Sequence, residues 1–238
     1  MIRATREQVH RFADGFRVDI VDIGGGFASP TTREMTSREL LVYQGWGRLP
    51  AGVSVGDCAS FEDFSGETAR ALLRIFPGGE LPELISEPGR SIASPNQFLL
   101  LTVSQVKTRP KVRKWLITDG GLGTVTLPTF YECHEVLLAD DVRRPRTERV
   151  TIVGPVCFAS DVVYRNIRMP EVQAGEVIAI MDSGAYFLAQ ESSFGFPRPA
   201  VVAVMGNTCR LVRRRETFAD LMGRDILLIP GDDSGGPS

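Results

Sequence analysis

Apolar and polar positions in the first 95 residues follow two alternating patterns. Residues 6–13 have helical character, and residues 16–23 alternate Phe, Val and Ile with polar positions until three glycines end the run. Residues 66–76 carry apolar side chains at helical spacing, and residues 81–86 form a second short apolar run. Strand, helix and strand with glycine at the strand ends predict a parallel α/β unit.

From about residue 96 the pattern changes to short runs rich in Val, Ile and Leu, which predict an all-β domain built as a sandwich or barrel. The predicted strands are residues 98–107, 114–118, 149–153, 176–181, 200–205 and 209–213. No long helix is expected before residues 216–222. Within the earlier segment, residues 30–63 have no clear period and predict an irregular loop with a short helix at residues 37–43.

The predicted fold class is therefore α/β followed by all-β. The expected domains are an α/β segment at residues 1–95 and a β domain at residues 96–229, followed by a polar, disordered tail at residues 230–238. A closed (β/α)₈ barrel takes about 250 residues by itself. If this α/β segment belongs to a barrel, most of the barrel is missing from it.

The composition of the chain argues against nucleic-acid binding, membrane binding and metal binding. The 238 residues include 27 basic and 29 acidic ones, so no basic surplus is present for a nucleic acid or an anionic membrane. No apolar run reaches the roughly eighteen residues of a membrane span, and a cytoplasmic protein is expected. The four cysteines form no CxxC pair and the chain has two histidines, so no metal site is expected.

Gly24, Gly25 and Gly26 follow the first predicted strand directly. Consecutive glycines expose backbone N–H groups with no Cβ in the way, which suits an anion such as phosphate. A tight turn with close backbone packing explains the same three residues equally well. The spacing GxGxxG is absent, so a dinucleotide site is not indicated.

The next predicted strand ends in Glu87, Pro88, Gly89 and Arg90. Ligand sites of α/β proteins form at the carboxyl ends of neighbouring parallel strands, where both of these loops would lie. A carboxylate beside an arginine suits a ligand with one basic and one anionic group. The alternative is a surface ion pair of little consequence.

Two further stretches in the β domain carry candidate chemistry. Residues 154–161 place Cys157 after a Gly-Pro turn, either as a reactive thiol or as a small buried apolar residue. Residues 182–186 end a strand with Gly-Ala-Tyr, a turn that would present Tyr186 and backbone amides to a phosphate.

At these four stretches the chain resembles the group IV pyridoxal-phosphate decarboxylases, the family of ornithine, diaminopimelate and arginine decarboxylases. GGGF, EPGR, GPxCxxxD and GAY occur in that order, and residues 118–121, 128–131 and 196–199 add support. Residues 211–218 resemble the diaminopimelate branch. The resemblance implies the C-terminal part of a (β/α)₈ barrel followed by a β-sandwich or Greek-key barrel domain.

The resemblance also implies pyridoxal 5′-phosphate as cofactor and a role for each motif. The cofactor phosphate would be bound by Gly24, Gly25, Gly26, Arg90 and Tyr186, and Gly89 would also lie among the cofactor-binding residues. Glu87 would pair with the pyridine nitrogen and keep it protonated. An amino acid would be the substrate of a homodimer with shared active sites. Cys157 would return a proton across the interface, Asp161 would contact the substrate there, and Tyr131 would line the pocket.

Two positions depart from the diaminopimelate pattern. Leu127 stands where an arginine normally binds the distal carboxylate, and Phe158 stands where an acidic residue normally follows the cysteine. Buried charges without partners are costly, so this pair disfavours a doubly zwitterionic substrate. A less polar or carrier-linked amino acid is expected instead.

The family's Schiff-base lysine has no counterpart before the EPGR motif, because the lysines are Lys107, Lys111 and Lys114. The expectation is an incomplete decarboxylase that needs a complementary N-terminal fragment. A non-catalytic regulatory or dimerisation partner from the same family is the alternative, and an alanine-racemase-like enzyme is a third.

Overall fold

The computed structural model describes residues 18–29, 32–48, 59–77, 81–125 and 131–226. The predicted helix at residues 6–13, the tail at residues 230–238 and Leu127 lie outside this part of the chain. The elements, in chain order, are β1 (Ile20–Asp22), β2 (Thr32–Glu34), α1 (Ser37–Trp46), α2 (Phe61–Ile75), β3 (Glu83–Ile85), α3 (Arg90–Ala93), β4 (Leu99–Arg109), β5 (Arg113–Thr118), α4 (Leu122–Val125), β6 (Glu132–His134), β7 (Val136–Leu138), β8 (Glu148–Val153), β9 (Val162–Met169), β10 (Val177–Ile180), α5 (Phe187–Gln190), β11 (Val201–Met205), β12 (Thr208–Arg213) and α6 (Phe218–Met222).

The predicted strand–helix–strand unit is confirmed. β1 and β3 pair in parallel with Val21 opposite Leu84, and α2 precedes β3 in a connection that also contains β2 and α1. Helix α2 starts at a capping box in which Ser60 and Asp63 each accept the other's backbone N–H, which satisfies donors that the first turn leaves open. The two loops that follow β1 and β3 therefore leave the same edge of the sheet.

β2 and α1 occupy the segment predicted to be irregular. The helix predicted at residues 37–43 is present and longer, because Thr36 and Glu39 form a capping box and Gly47 ends it in the left-handed conformation. β2 pairs antiparallel with β6, with Thr32 opposite His134. This pairing joins the N-terminal segment to the β domain across the boundary predicted at residue 95, which stays a prediction.

A six-stranded sheet in the order β7–β10–β4–β5–β8–β9 forms the main body of the β domain. β5 and β8 run parallel, and the other neighbours are antiparallel. Its inward side chains, among them Val103, Leu116, Ile152 and Ile178, are fully buried and form one apolar core. β11 and β12 form a separate antiparallel hairpin.

The strands predicted in this domain are all present, but β9 was not predicted. Its sequence VVYRNIRM carries polar residues through its middle, and Asn166 has a left-handed φ of 55°. The pairing of β9 with β8 is irregular there as well, so the period-2 signal that marks a strand is lost. The three-residue strands β2, β6 and β7 are too short to give that signal.

No helix in the described ranges is long and apolar enough to cross a membrane. The same residues contain no group of three or more His, Cys, Asp or Glu side chains placed to hold a metal ion.

Candidate functional site

The glycine loop after β1 combines the two roles that its sequence left open. Gly24 and Gly26 have φ values of +66° and +81°, which residues with a Cβ adopt at a cost. A Cβ on Gly25 would lie 2.7 Å from the carbonyl oxygen of Glu87, so this position requires the close approach that glycine allows. The loop is a tight turn packed against the next strand end.

The same loop leaves backbone donors available. The Gly24 N–H donates to Asp22 Oδ1 at 2.8 Å, so the predicted phosphate contact of Gly24 has to compete with this bond. Within the described residues, the amides of Gly25 and Gly26 donate to no acceptor. Both residues are exposed. Two neighbouring N–H groups are therefore free to bind an anion.

The EPGR loop after β3 lies against the glycine loop. Glu87 N–H donates to the carbonyl oxygen of Gly24 at 2.9 Å, and Ile23 N–H donates to that of Ile85 at 3.0 Å. Gly89 N–H donates back to the Glu87 carbonyl oxygen, which turns the chain into α3. The Glu87 side chain is exposed, and within the described ranges its carboxylate has no protein partner.

Arg90 connects this edge to the β domain. Its guanidinium carbon lies 5.5 Å from the centroid of the Tyr186 ring, a cation–π contact. Nη2 lies 2.6 Å from Oε1 of the buried Glu132, and Nη1 lies 3.4 Å from Oε1 of Glu34. Arg90 of EPGR and Tyr186 of GAY are 96 positions apart in the chain, and the two motifs thus meet at one arginine.

The GAY turn is packed against α3 and the 3₁₀ turn that follows it. Ser183 N–H donates to Gln97 O at 2.8 Å, and Gly184 N–H donates to Ser94 O at 3.2 Å. A Cβ on Gly184 would overlap the carbonyl oxygen of Ala93. Tyr186 itself has a left-handed φ of 70°, a strained conformation for a residue with a Cβ. The backbone thus fixes where the Tyr186 side chain starts.

Replacing Gly184 by alanine is expected to separate these two elements. The added methyl group meets backbone rather than a flexible side chain, and overpacking of this kind costs roughly 1–3 kcal/mol. Urea unfolding measures the loss. Gly45→Ala is the matched control, because a Cβ there meets nothing within 4 Å and the residue lies within α1. Equal stability of the two variants would contradict the packing described here.

Tyr131 lies in the same cluster, as its predicted role in the pocket requires. Burial raises the pKa of its phenol, and the nearby Glu132 carboxylate adds to the effect while Arg90 opposes it. Its carbonyl oxygen accepts from Met35 N–H at 2.6 Å, so β2 and β6 together position it. The side chain is 37% exposed and therefore accessible to a ligand.

Cys157 lies in the loop between β8 and β9, and no contact among the described residues joins it to Arg90 or the glycine loop. Its thiol is exposed. Cys133, by contrast, is partly buried on β6, and burial raises its pKa to about 11. Of these two thiols, Cys157 is the accessible one.

Asp161 occupies a different environment from the one predicted for a substrate contact. The residue is 3% exposed, and its carboxylate accepts from Leu122 N–H at 2.6 Å and from Val156 N–H at 2.8 Å. A Cβ on Gly121 or Gly154 would overlap this carboxylate. The structure therefore gives Asp161 a loop-holding role, and almost no surface is left for the predicted substrate contact.

Glu132 and His134 were not singled out in the sequence, yet both are buried polar residues, with Glu132 against Arg90 and His134 against Glu132. The local sequence offers little indication that these side chains are buried, because a three-residue strand with polar residues at alternate positions resembles an exposed strand at the edge of a sheet. Their burial depends on β2 and α3, which come from a distant part of the chain.

Comparison with known proteins adds two family matches. Residues 2–94 match the pyridoxal binding domain of the pyridoxal-dependent decarboxylases, and residues 92–184 match the C-terminal sheet domain of the same family. Together the two matches span the glycine loop, EPGR, Cys157 and Gly184.

Among curated proteins, a diaminopimelate decarboxylase of Methanocaldococcus jannaschii is 29% identical over 90% of this chain and 44% of its own length. One from Methanothermobacter thermautotrophicus is 32% identical over 90% of this chain and 46% of its own length. A crystal structure of the M. jannaschii enzyme in complex with L-lysine has a TM-score of 0.72 at 28% identity, covering 93% of this chain and 47% of that one. The chain thus spans about half the length of these relatives.

Proposed function

The chain belongs to the pyridoxal-dependent decarboxylase family of ornithine, diaminopimelate and arginine decarboxylases, in the diaminopimelate branch, and from this premise we propose that it forms the cofactor-binding and sheet-domain part of an amino-acid decarboxylase. One observation carries the proposal. The glycine loop, EPGR and GAY meet through the Glu87–Gly24 hydrogen bond and the Arg90–Tyr186 contact. Separated motifs that converge on one edge of a parallel sheet mark a ligand site.

The residues present fit pyridoxal phosphate. Its phosphate requires donors and positive charge. The amides of Gly25 and Gly26, which donate to no acceptor in the described part of the chain, and the Arg90 guanidinium offer both. A Cβ on Gly24 or Gly26 would meet nothing within 4 Å, so the space beside the loop is open. When bound, the cofactor supplies an electron-accepting ring.

The remaining site residues have proposed roles that follow from their exposure. The Glu87 carboxylate, which has no partner among the described residues, would hold the proton on the pyridine nitrogen. Tyr131 would line the substrate pocket, and the accessible thiol of Cys157 would return a proton to the substrate carbon of a partner subunit. That role requires the homodimer, which is part of the proposal.

The lysine that bonds to the cofactor has to come from outside these 238 residues. Lys107, Lys111 and Lys114 all lie on β4, β5 or the turn between them, and Lys114 is paired with Glu148. Parallel strands are normally covered on both faces, yet Ile20 is 54% exposed and Leu84 and Ile85 are exposed as well. A complementary polypeptide with further barrel strands would cover them and supply the lysine.

The substrate proposed is an amino acid less polar than diaminopimelate. Phe158 is 49% exposed next to Cys157 and meets Phe194 edge to face, with ring centroids 6.0 Å apart. An aromatic pair at this position offers no charge to a distal ammonium group. Leu127 supports the same choice from its sequence position.

A non-catalytic partner of an intact decarboxylase is the second candidate. The positions of the three lysines favour it, because the chain then needs no covalent cofactor bond of its own. Co-expression with the half of the M. jannaschii relative that this chain does not match separates the two functions. Release of CO₂ from an amino acid supports the decarboxylase, and an assembled but inactive complex supports the partner.

Cofactor binding by the full chain tests the proposal directly. Fluorescence titration is expected to show that pyridoxal phosphate binds at least about tenfold more tightly than pyridoxal, because charge-assisted hydrogen bonds hold the phosphate. Arg90→Met should remove this preference, and Arg90→Lys, which keeps a cation beside Glu132, should retain part of it. Arg74→Met is the control, since Arg74 is an exposed residue at the end of α2.

Two results would overturn parts of the proposal. Equal affinity for pyridoxal and pyridoxal phosphate would refute the phosphate site. A borohydride-reduced cofactor adduct on a lysine of the isolated chain, detected by mass spectrometry, would refute the external lysine.

A further inference from the structure

Three side chains form a buried charged row between the candidate phosphate site and the β domain. Glu132 is 2% exposed, and its carboxylate lies between two cationic groups. Oε1 lies 2.6 Å from Arg90 Nη2, and Oε2 lies 3.0 Å from His134 Nε2. The other ring nitrogen, Nδ1, lies 2.9 Å from the carbonyl oxygen of Met181.

The hydrogen-bond partners of the two ring nitrogens indicate where His134 carries hydrogens. A carbonyl oxygen only accepts, so Nδ1 must carry a hydrogen to bond Met181. An ionised carboxylate also only accepts, so Nε2 must carry the second hydrogen to bond Glu132. A neutral Glu132 would leave the Arg90 cation without its buried counter-charge, which is strongly unfavourable. The contacts therefore describe an imidazolium, a carboxylate and a guanidinium in a row.

The surroundings add one negative group on each side. Asp182 faces His134, and burial raises the pKa of its carboxyl while His134 lowers it. Glu34 is the second acid on Arg90, on the exposed side. Further titratable groups close to the row include Tyr131, Cys133 and Tyr164. Tyr164 Oη accepts the His134 backbone N–H at 2.9 Å.

We propose that Glu132 and His134 are positioning residues, and that the His134–Glu132 ion pair holds the Arg90 guanidinium over Tyr186 in the orientation that binds phosphate. Glu132 is anchored by β6 and by His134, so it fixes one edge of the guanidinium, while Nη1 faces the exposed carboxylate of Glu34 at 3.4 Å. Replacing His134 or Glu132 takes away this anchor. Phosphate binding by Arg90 thus depends on two buried side chains that do not touch the phosphate themselves.

The claim that both ring nitrogens of His134 carry a hydrogen can be tested without a cofactor. The claim that this histidine and Glu132 orient Arg90 for phosphate rests on the proposed function. Nitrogen-15 NMR of the full chain tests the first, and the assignment is simple because His10 is the only other histidine. At pH 7, His134 is expected to show two slowly exchanging ring N–H signals. His10→Gln should leave both unchanged. A single ring N–H signal would overturn the proposal.

Cofactor titration tests the second part. Glu132→Gln keeps the size and an acceptor oxygen but removes the charge, and we expect one His134 ring N–H signal at pH 7 and about tenfold weaker binding of pyridoxal phosphate. Glu135→Gln is the control, since Glu135 follows His134 in the chain but pairs with Arg146. It should change affinity less than twofold.

A second variant separates positioning from a purely structural role. His134→Gln should bind pyridoxal phosphate about tenfold more weakly while its affinity for pyridoxal stays unchanged, and it serves if Glu132→Gln does not fold. Unchanged affinity in a folded variant would overturn the positioning role. Absence of binding by the wild-type chain would instead refute the phosphate site, and the NMR result would still stand.

Discussion

Replacing Glu87 by glutamine is expected to reduce turnover of the assembled decarboxylase roughly a hundredfold or more while cofactor affinity changes little. The carboxylate is exposed and unpaired within the described residues, so it is free to hold the proton on the pyridine nitrogen. Glutamine keeps the shape but not the charge, and the nitrogen then loses its proton more easily. The Glu87 backbone, which holds the glycine loop, is untouched.

The measurement compares CO₂ release and cofactor titration for the same preparation, co-expressed with the lysine-bearing half of the M. jannaschii relative. Glu83→Gln is the matched control, because Glu83 is an exposed acid at the start of the same strand, β3. A parallel fall in turnover and cofactor affinity would show that Glu87 serves in binding rather than in proton retention.

The second large effect is expected on stability. Asp161→Ala should lower the free energy of unfolding by about 3 kcal/mol, because it removes a buried carboxylate and leaves two partly buried N–H groups, of Leu122 and Val156, without an acceptor. It also opens the space in which Gly121 and Gly154 approach the carboxylate. Both the loop before α4 and the loop that carries Cys157 lose their shared anchor.

Urea unfolding with Asp141→Ala as the control measures this loss. Asp141 is an exposed acid whose contacts with Arg144 lie at the surface, so its removal should cost less than about 1 kcal/mol. If Asp161 instead contacts only substrate, its removal will leave stability unchanged and weaken substrate binding in the assembled enzyme. That result would restore the role implied by the family resemblance.

The sequence by itself determined the family, the order of the four motifs and most of the regular elements. β4, β5, β8 and β10 carry long enough apolar runs to be identified locally, and the helix of the α/β unit has a clear apolar stripe. A turn that needs positive φ at a strand end favours glycine at that position. The loop that contains Gly24 and Gly26 could therefore be recognised from the sequence. These features depend on neighbours within a few residues.

Only the tertiary structure decided which polar groups are buried and what they contact. Asp161 reads as a ligand residue in the sequence, but the approach of the loop at residues 119–122 encloses its carboxylate. The local sequence around Glu132 and His134 is typical of an exposed strand. In the structure, β2 and Arg90, both at least 40 residues away, pack against this strand and bury the two side chains. Burial of a polar side chain depends on contacts between segments that are distant in the chain. The local pattern of polar and apolar residues does not show which segment will cover that side chain.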